Sequence, residues 1–230
     1  MDKDFGKLEK IIATTFKNID HLQQAVVHRS YLNEHQSFKL DHNERLEFLG
    51  DAVLELVVTE FLYLHYPNPE GELTNWRASL VNSKMLSKIA DKIKLEEFIY
   101  LSKGESKDTG KARQFILADA VEAVIGAIYI DQGWDASKKF IETFILVELP
   151  EILEKKLYID PKSHFQERSQ EITSFTPSYK VLHEVGPDHN KEFEVGVYLG
   201  DELIAKGKGS SKQEAQEDAA RTALEDEKWK

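Results

Sequence analysis

The chain has 230 residues, 41% hydrophobic and 31% charged, with no cysteine and a formal net charge of −11. That length allows one large domain or two ordinary ones, and the apolar content supports a real core. Lack of cysteine excludes disulfides, thiolate zinc sites and cysteine nucleophiles, while the acidity argues against a nucleic-acid partner, because phosphate contacts are built from Lys and Arg.

The opening MDKDFGKLEK has no apolar signal-peptide core, and no apolar run reaches membrane-spanning length. A soluble cytoplasmic protein is expected. FGKLEKIIATTF and HLQQAVVH carry apolar residues at helical spacing. Residues 44–65, ERLEFLGDAVLELVVTEFLYLH, are apolar nearly all the way round and predict a central helix. YPNPEG breaks it, and ELTNWRASLVNSKMLSKIADKI resumes a helical pattern. LSKGESKDTGK reads as a loop, and ARQFILADAVEAVIGAIYID as a second strongly apolar helix ending before Gly133. In WDASKKFIETFILVELPEILEKK, Pro150 is expected to kink or divide the helix.

After LYIDPKS the pattern changes. SHFQERSQEIT predicts a short helix with Ser163 as its cap. SYKVLHEVG, KEFEVGVYLG and ELIAKGKG alternate like strands, separated by GPDHN and GD turns. SSKQEAQEDAARTALEDE predicts a capped closing helix. The fold class is an all-α domain over residues 1–157, a linker at 158–161 and a small α+β domain, α-β-β-β-α, over 162–230.

The stretch HNERLEFLGD sets Glu44, Glu47 and Asp51 at i, i+3 and i+7, within roughly 60° of one another on a helix. In LADAVEAV, Asp119 and Glu122 stand at i and i+3. Carboxylates are costly to bury without compensation, and the only nearby cation in sequence is Arg45. Five acids on two apolar helices therefore imply a shared countercharge. Oxygen-only clusters suit Mg²⁺, with Mn²⁺ as a substitute, and such a metal assists hydrolysis at phosphorus. The plainer alternative is a pair of solvated helix faces. Glu55 continues the first stripe but reads as structural or solvated. Asp131 falls on the far side of the second helix.

HNERLEFLGDA and LADAVEAVIGAIYID closely resemble the two catalytic segments of bacterial ribonuclease III. VVHRS, PNPEGELTNWRASLV and GKGSSKQEAQEDAA match as well, so the resemblance runs through both domains. It implies a homodimeric, Mg²⁺-dependent endonuclease that cuts double-stranded RNA, with ribosomal RNA precursors as the family's usual substrate. The products would carry 5′-phosphate and 3′-hydroxyl ends with a short 3′ overhang. By that likeness Glu44, Asp51, Asp119 and Glu122 are active-site acids, and the metal rests on Glu47, Asp51, Asp119 and Glu122. Glu70 matches a further acid near the scissile strand, although a plain loop carboxylate would look the same. Phe48 matches an aromatic that packs into the partner subunit, or is ordinary core.

The second domain resembles a double-stranded RNA-binding domain, a module that reads A-form shape through 2′-hydroxyls and phosphates. The likeness assigns Ser163, Gln166, Glu167 and Gln170 to one minor groove and His189 to the next. Ser210, Ser211 and Lys212 would meet phosphates at a helix N-terminus. Residues 162–230 hold 10 Lys and Arg against 14 Asp and Glu, so positive charge has to be local, at Lys206, Lys208 and Lys212. Gln213 departs from the basic residue usual there. Weaker and more Mg²⁺-dependent RNA capture is the expected consequence. Two rivals are a duplex-RNA chaperone with a vestigial nuclease domain and an all-α nucleotide pyrophosphohydrolase. The intact acids argue against the first, and the appended RNA-binding module against the second.

Overall fold

In the computed structural model, residues 3–107, 110–186 and 191–229 are described. The chain divides into two units, residues 1–158 and 159–230. The first contains α1 (Phe5–Ile11), α2 (Ile19–Ala25), α3 (Arg29–Glu34), α4 (Glu44–His65), α5 (Glu70–Val81), α6 (Ser83–Lys92), α7 (Lys111–Gln132), α8 (Trp134–Phe144) and α9 (Leu149–Glu154). Among the described residues, no helix is long and apolar enough to cross a membrane.

Helix boundaries follow local chemistry. α7 ends where Gly133 takes φ +84°, a conformation that suits glycine. Three breaks differ from the sequence expectation. α5 begins at Glu70, directly after Pro69, so Glu70 is a first-turn residue rather than a loop carboxylate. The following helical stretch is interrupted at Asn82, whose side chain accepts from the Met85 N–H and starts α6. The last stretch divides at Ile145–Glu148, ahead of Pro150. Pro150 lies in the first turn of α9, where its missing N–H has no helical partner to lose.

The core is organised around α4 and α7. Leu46, Val53, Leu54, Val57, Val58 and Leu62 of α4 are buried, as are Leu117, Val121, Val124, Ile125 and Ile128 of α7. The two helices touch backbone to backbone. A Cβ on Gly50 would lie 1.7 Å from the Glu122 carbonyl oxygen, and one on Gly126 would lie 2.1 Å from that of Leu46. Reciprocal glycines thus set how closely the helices cross.

The ends of both helices are tied down. Asn43, buried just before α4, donates from Nδ2 to the Ala25 carbonyl at 3.2 Å. Its backbone N–H donates to the Val27 carbonyl at 2.9 Å. Near the C-terminal end of α7, the Asp131 carboxylate is 1% exposed. It accepts from the N–H groups of Lys17 and Asn18 at 2.7 and 2.9 Å, and faces His21 Nδ1 at 3.2 Å. The sequence reading of Asp131 as remote from the site agrees with this anchoring position at the start of α2.

The second unit has α10 (Pro161–Thr173), then β1 (Ser178–Val185), β2 (Glu192–Leu199) and β3 (Glu202–Gly209), then α11 (Lys212–Glu225). The strands form an antiparallel sheet in the order β1-β2-β3. Phe193, Val195, Val197 and Leu199 alternate inward from β2. They join a core with Phe165 of α10 and the buried alanines Ala215, Ala219, Ala220 and Ala223 of α11. Trp229 closes this core, 1% exposed, with its ring edge-on to Phe165 at 5.3 Å. The expected Ser163 cap is corrected: α10 starts two residues earlier, at Pro161. Asp160 is the cap, accepting from the Ser163 N–H at 3.0 Å.

If the α4–α7 crossing depends on its glycines, Gly126→Ala should cost at least about 3 kcal/mol through overpacking. Gly71→Ala should stabilise by about 0.5–1 kcal/mol, because that helical position is open. Urea unfolding of both variants against wild type measures the difference. A neutral Gly126→Ala would show that the helices can separate at little cost.

Candidate active site

The crossing sets the acids in place. Glu47 lies one turn before Gly50, and Asp119 and Glu122 lie on the turns of α7 preceding Gly126. Carboxylate oxygens of Glu47, Asp119 and Glu122 come within 4.8 Å of one another, each residue half-buried. Among the described residues, no ion pair or side-chain hydrogen bond reaches these three or Asp51. Like charges have been assembled and left uncompensated.

Their proton affinities record this. Burial pushes the Glu122 carboxyl up to about 8, helped by the negative charges of Asp51, Asp119, Glu47 and Glu55. Glu47 is raised by burial and then by Asp119, Glu44 and Asp51. Asp119 is raised by burial. Glu148 behaves in the opposite way. Burial alone would raise it, but hydrogen bonds from Lys88 and Lys92 outweigh that and hold it below the usual carboxylate range. Elsewhere this fold supplies a buried acid with lysines, whereas at the crossing it supplies none. Three converging hard oxygen ligands, each residue only half-buried, fit a small divalent cation.

The remaining expected residues fall in different places. Asp51 is exposed and lies outside the 4.8 Å group, though its charge is the largest of those acting on Glu122. Glu44 also lies outside it. Its Oε1 is 3.5 Å from Arg29 Nη1 and its Oε2 3.7 Å from His42 Nδ1. Three of the five acids thus form a tight trio, with Asp51 beside it and Glu44 facing Arg29 and His42. Glu70 accepts from Thr74 Oγ1 at 2.9 Å on α5, apart from the trio. Glu55 pairs with Arg77 Nε at 3.0 Å, in line with its reading as structural. Phe48 is 80% exposed, so it is not core of this subunit. Gly50, Gly126, Asn43 and Arg29 were not anticipated. The signal for the glycines was present: each stands three or four residues beyond a cluster acid, on the same helix face.

In the second unit, Ser163, Gln166, Glu167 and Gln170 are all exposed, at i, i+3, i+4 and i+7 of α10. The Ser163 hydroxyl donates to Asp160 Oδ2 at 2.7 Å, and Gln170 Nε2 to Thr176 Oγ1 at 3.1 Å. His189 lies outside the described residues. Ser211 caps α11, its hydroxyl accepting from the Glu214 N–H at 3.2 Å, and Ser210 donates to the Glu214 carboxylate. Lys212 is exposed with its Nζ 5.8 Å from the Phe193 ring centre. Lys206 pairs with Glu194 at 3.3 Å, whereas Lys208 and Lys212 have no carboxylate partner among the described residues. Gln213 donates to Glu217 at 2.9 Å.

The first unit matches the family model described as Ribonuclease-III-like over residues 18–149. The second matches the Double-stranded RNA binding motif over residues 161–227. A protein named Ribonuclease 3 from Carboxydothermus hydrogenoformans is 46% identical, covering 98% of this chain and 97% of its own. Its namesake from Borreliella burgdorferi is 43% identical, covering 95% and 89%. The solved nuclease domain of ribonuclease III from Campylobacter jejuni aligns with TM-score 0.58 and 40% identity, covering 64% of this chain and 99% of that one. Fold, paired domains and relatives together define an endoribonuclease with a duplex-RNA-binding module. The chain belongs to the ribonuclease III family.

A raised carboxyl makes metal-free stability depend on pH. Folded Glu122 keeps a proton that the unfolded chain releases above about 4.5, so its contribution is fully present below that pH and is lost by about 8. Thermal melts in EDTA should show stability falling across this window, and Glu122→Gln should flatten the fall. Mg²⁺ at about a hundredfold its Kd should add about 2.7 kcal/mol to the wild type. Identical pH profiles for wild type and variant would contradict the assignment.

Proposed function

We propose that the protein is a homodimeric, Mg²⁺-dependent endoribonuclease of the cytoplasm that hydrolyses double-stranded RNA. It leaves 5′-phosphate and 3′-hydroxyl ends with a short 3′ overhang. Ribosomal RNA precursors and other structured transcripts are its substrates. The observation that carries this reading is the uncompensated trio Glu47, Asp119 and Glu122, in a family of metal-dependent nucleases.

In this reading Glu47, Asp119 and Glu122 hold the cation, with Asp51 completing the negative rim. A divalent cation there supplies Lewis-acid chemistry: it neutralises charge developing on a phosphate and makes water nucleophilic near neutral pH. The chain's own contribution is orientation. Both long helices are clamped at their crossing, so the carboxylates need no rearrangement when an RNA strand arrives. Asp51, exposed on the stripe, offers an oxygen to the proton released as water adds to phosphorus. The P–O bond to the 3′-oxygen breaks, and that oxygen leaves as the hydroxyl end with a proton from solvent water, while Asp51 returns its own proton to solvent. Glu44 and Glu70 act at the edges, since each is already engaged by neighbouring side chains.

RNA capture belongs to the second unit. Ser163, Gln166, Glu167 and Gln170 form a polar strip suited to 2′-hydroxyls. Ser210, Ser211 and Lys212 stand at the α11 N-terminus, where backbone N–H groups favour phosphate. His189 is retained in this role on sequence likeness alone.

The dimer rests on a different observation. Phe48, Leu56 and Tyr63 are 80%, 58% and 77% exposed along α4, beside the acid stripe. Soluble monomers rarely leave so much contiguous apolar surface uncovered. A second copy on this ridge would bring its own acids next to the first set, one centre for each strand of a duplex. The C. jejuni nuclease-domain structure is described as having a region involved in dimer formation.

Two experiments check these readings. Long duplex RNA, single-stranded RNA and nucleoside triphosphates, each with Mg²⁺ or EDTA, should show only the duplex cut, and only with Mg²⁺. Glu122→Gln should lower the single-turnover rate at least about a hundredfold while duplex binding persists. Normal turnover by that variant, or hydrolysis of triphosphates instead, would refute the site. Separately, sedimentation of Phe48→Glu should show monomer where the wild type shows dimer. A variant that stays dimeric would place the interface elsewhere.

A further inference from the structure

We propose that Arg29 grips a backbone phosphate of the RNA strand entering the acid cluster, and that Glu44 holds it in readiness. This rests on the nuclease reading above and assigns a specific contact within it. The starting point is an electrostatic difficulty. An RNA strand must reach a cluster of carboxylates on a chain of net charge −11, and each phosphate is repelled as it approaches. Even with a divalent ion on the trio, the acids there outnumber the positive charge, and among the described residues no Lys or Arg pairs with the trio, so a further side-chain cation at the rim eases the approach.

Arg29 is the side chain so placed. It is the first residue of α3, its side chain 71% exposed, and its Nη1 stands 3.5 Å from Glu44 Oε1. Glu44 in turn stands three residues before Glu47, on the same face of α4. One carboxylate therefore separates the guanidinium from a member of the trio. The contact is at the long limit of a hydrogen bond and lies in solvent, so it is worth little. A guanidinium–phosphate contact is bidentate and charge-assisted, and stronger. Exchange of Glu44 for a phosphate oxygen is thus favourable when a strand arrives. The second Glu44 oxygen stands 3.7 Å from His42 Nδ1, a buried nitrogen with no hydrogen-bond partner among the described residues, so the released carboxylate has a polar neighbour within a small movement.

The other arginines near the site lack these properties. Arg113, which acts on His28 alongside Arg29, is 11% exposed and engaged by Glu96 at 3.5 Å and the Glu105 carbonyl at 3.1 Å. Arg77 is held by two groups on α4, Glu55 at 3.0 Å and the Thr59 hydroxyl at 3.1 Å, and is about half as exposed as Arg29. Its role is to brace α5 against α4. Arg45 is two residues before Glu47, about 200° round the helix and directed away from the trio.

The test uses the full-length protein, a long RNA duplex and Mg²⁺, with Arg29→Ala and Arg29→Lys beside wild type. Single-turnover cleavage is followed against RNA concentration at several salt concentrations, and circular dichroism melts confirm folding. Arg29→Ala should raise the half-saturating RNA concentration about tenfold and reduce the salt slope by about one. Arg29→Lys should restore the slope, because the charge is back, but only part of the affinity, because lysine cannot bind in two-point fashion. A merely structural Arg29 would lower the melting temperature and leave the slope unchanged, which would overturn the proposal. So would an Arg29→Lys variant that behaves like Arg29→Ala. If wild type cuts duplex RNA and Arg29→Ala matches it, only the Arg29 assignment falls. If wild type does not cut duplex RNA at all, the nuclease reading falls and takes this one with it.

Discussion

Everything at the active site depends on two helices approaching closer than side chains normally permit. Gly50 faces the carbonyl of Glu122, and Gly126 faces that of Leu46. Helices usually pack 8–10 Å apart, the spacing set by the side chains between them. Here there are none at the contact. The consequence is chemical as well as mechanical, because Glu47 sits a turn from one glycine and Glu122 a turn from the other. Any wider crossing would separate their oxygens and lose the common ligand space.

Bringing acids together in a half-buried place is unfavourable, and the rest of the first unit is arranged to withstand it. Asn43 fastens the start of α4 to the Ala25 and Val27 carbonyls, and Asp131 fastens the end of α7 to the start of α2. With both helices tied at points outside the contact, mutual repulsion of the carboxylates cannot be relieved by sliding. Behind the larger effect of burial, it adds to the raised proton affinities of Glu47 and Glu122. Burial and repulsion together make a place whose charge a small, doubly charged ion would relieve. Positioning and charge therefore have the same origin.

How much of this was legible in the sequence can be argued residue by residue. The i, i+3 pair Asp119 and Glu122 is a local property of one helix, and its face could be read directly. That Glu47 joins them is a tertiary fact. The sequence points to it through acids on two apolar helices that demand a shared partner, and through the family likeness. At Glu44, helical spacing says which face the residue occupies but not what else reaches that face. Arg29 reaches it from α3, which no periodicity connects to α4, and His42 from two residues before it. Helix starts were misread for a related reason. Ser163 looked like a cap because serine commonly is one, yet Asp160 followed by Pro161 is a cap and a first helical residue in sequence. Asn82 was passed over inside a good helical pattern because a capping side chain can divide a helix with no glycine or proline present.

Net charge of −11 and a double-stranded RNA-binding motif stand in apparent opposition. The contradiction dissolves once charge is located rather than summed. Of the lysines near the α11 N-terminus, Lys206 is neutralised across the sheet by Glu194, while Lys208 and Lys212 keep their charge for another partner. The α10 strip is polar rather than basic, suited to 2′-hydroxyls, which carry no charge and are indifferent to the acids around them. Shape and hydroxyl contacts can then supply much of the recognition, and only a few cations are needed where phosphates come closest.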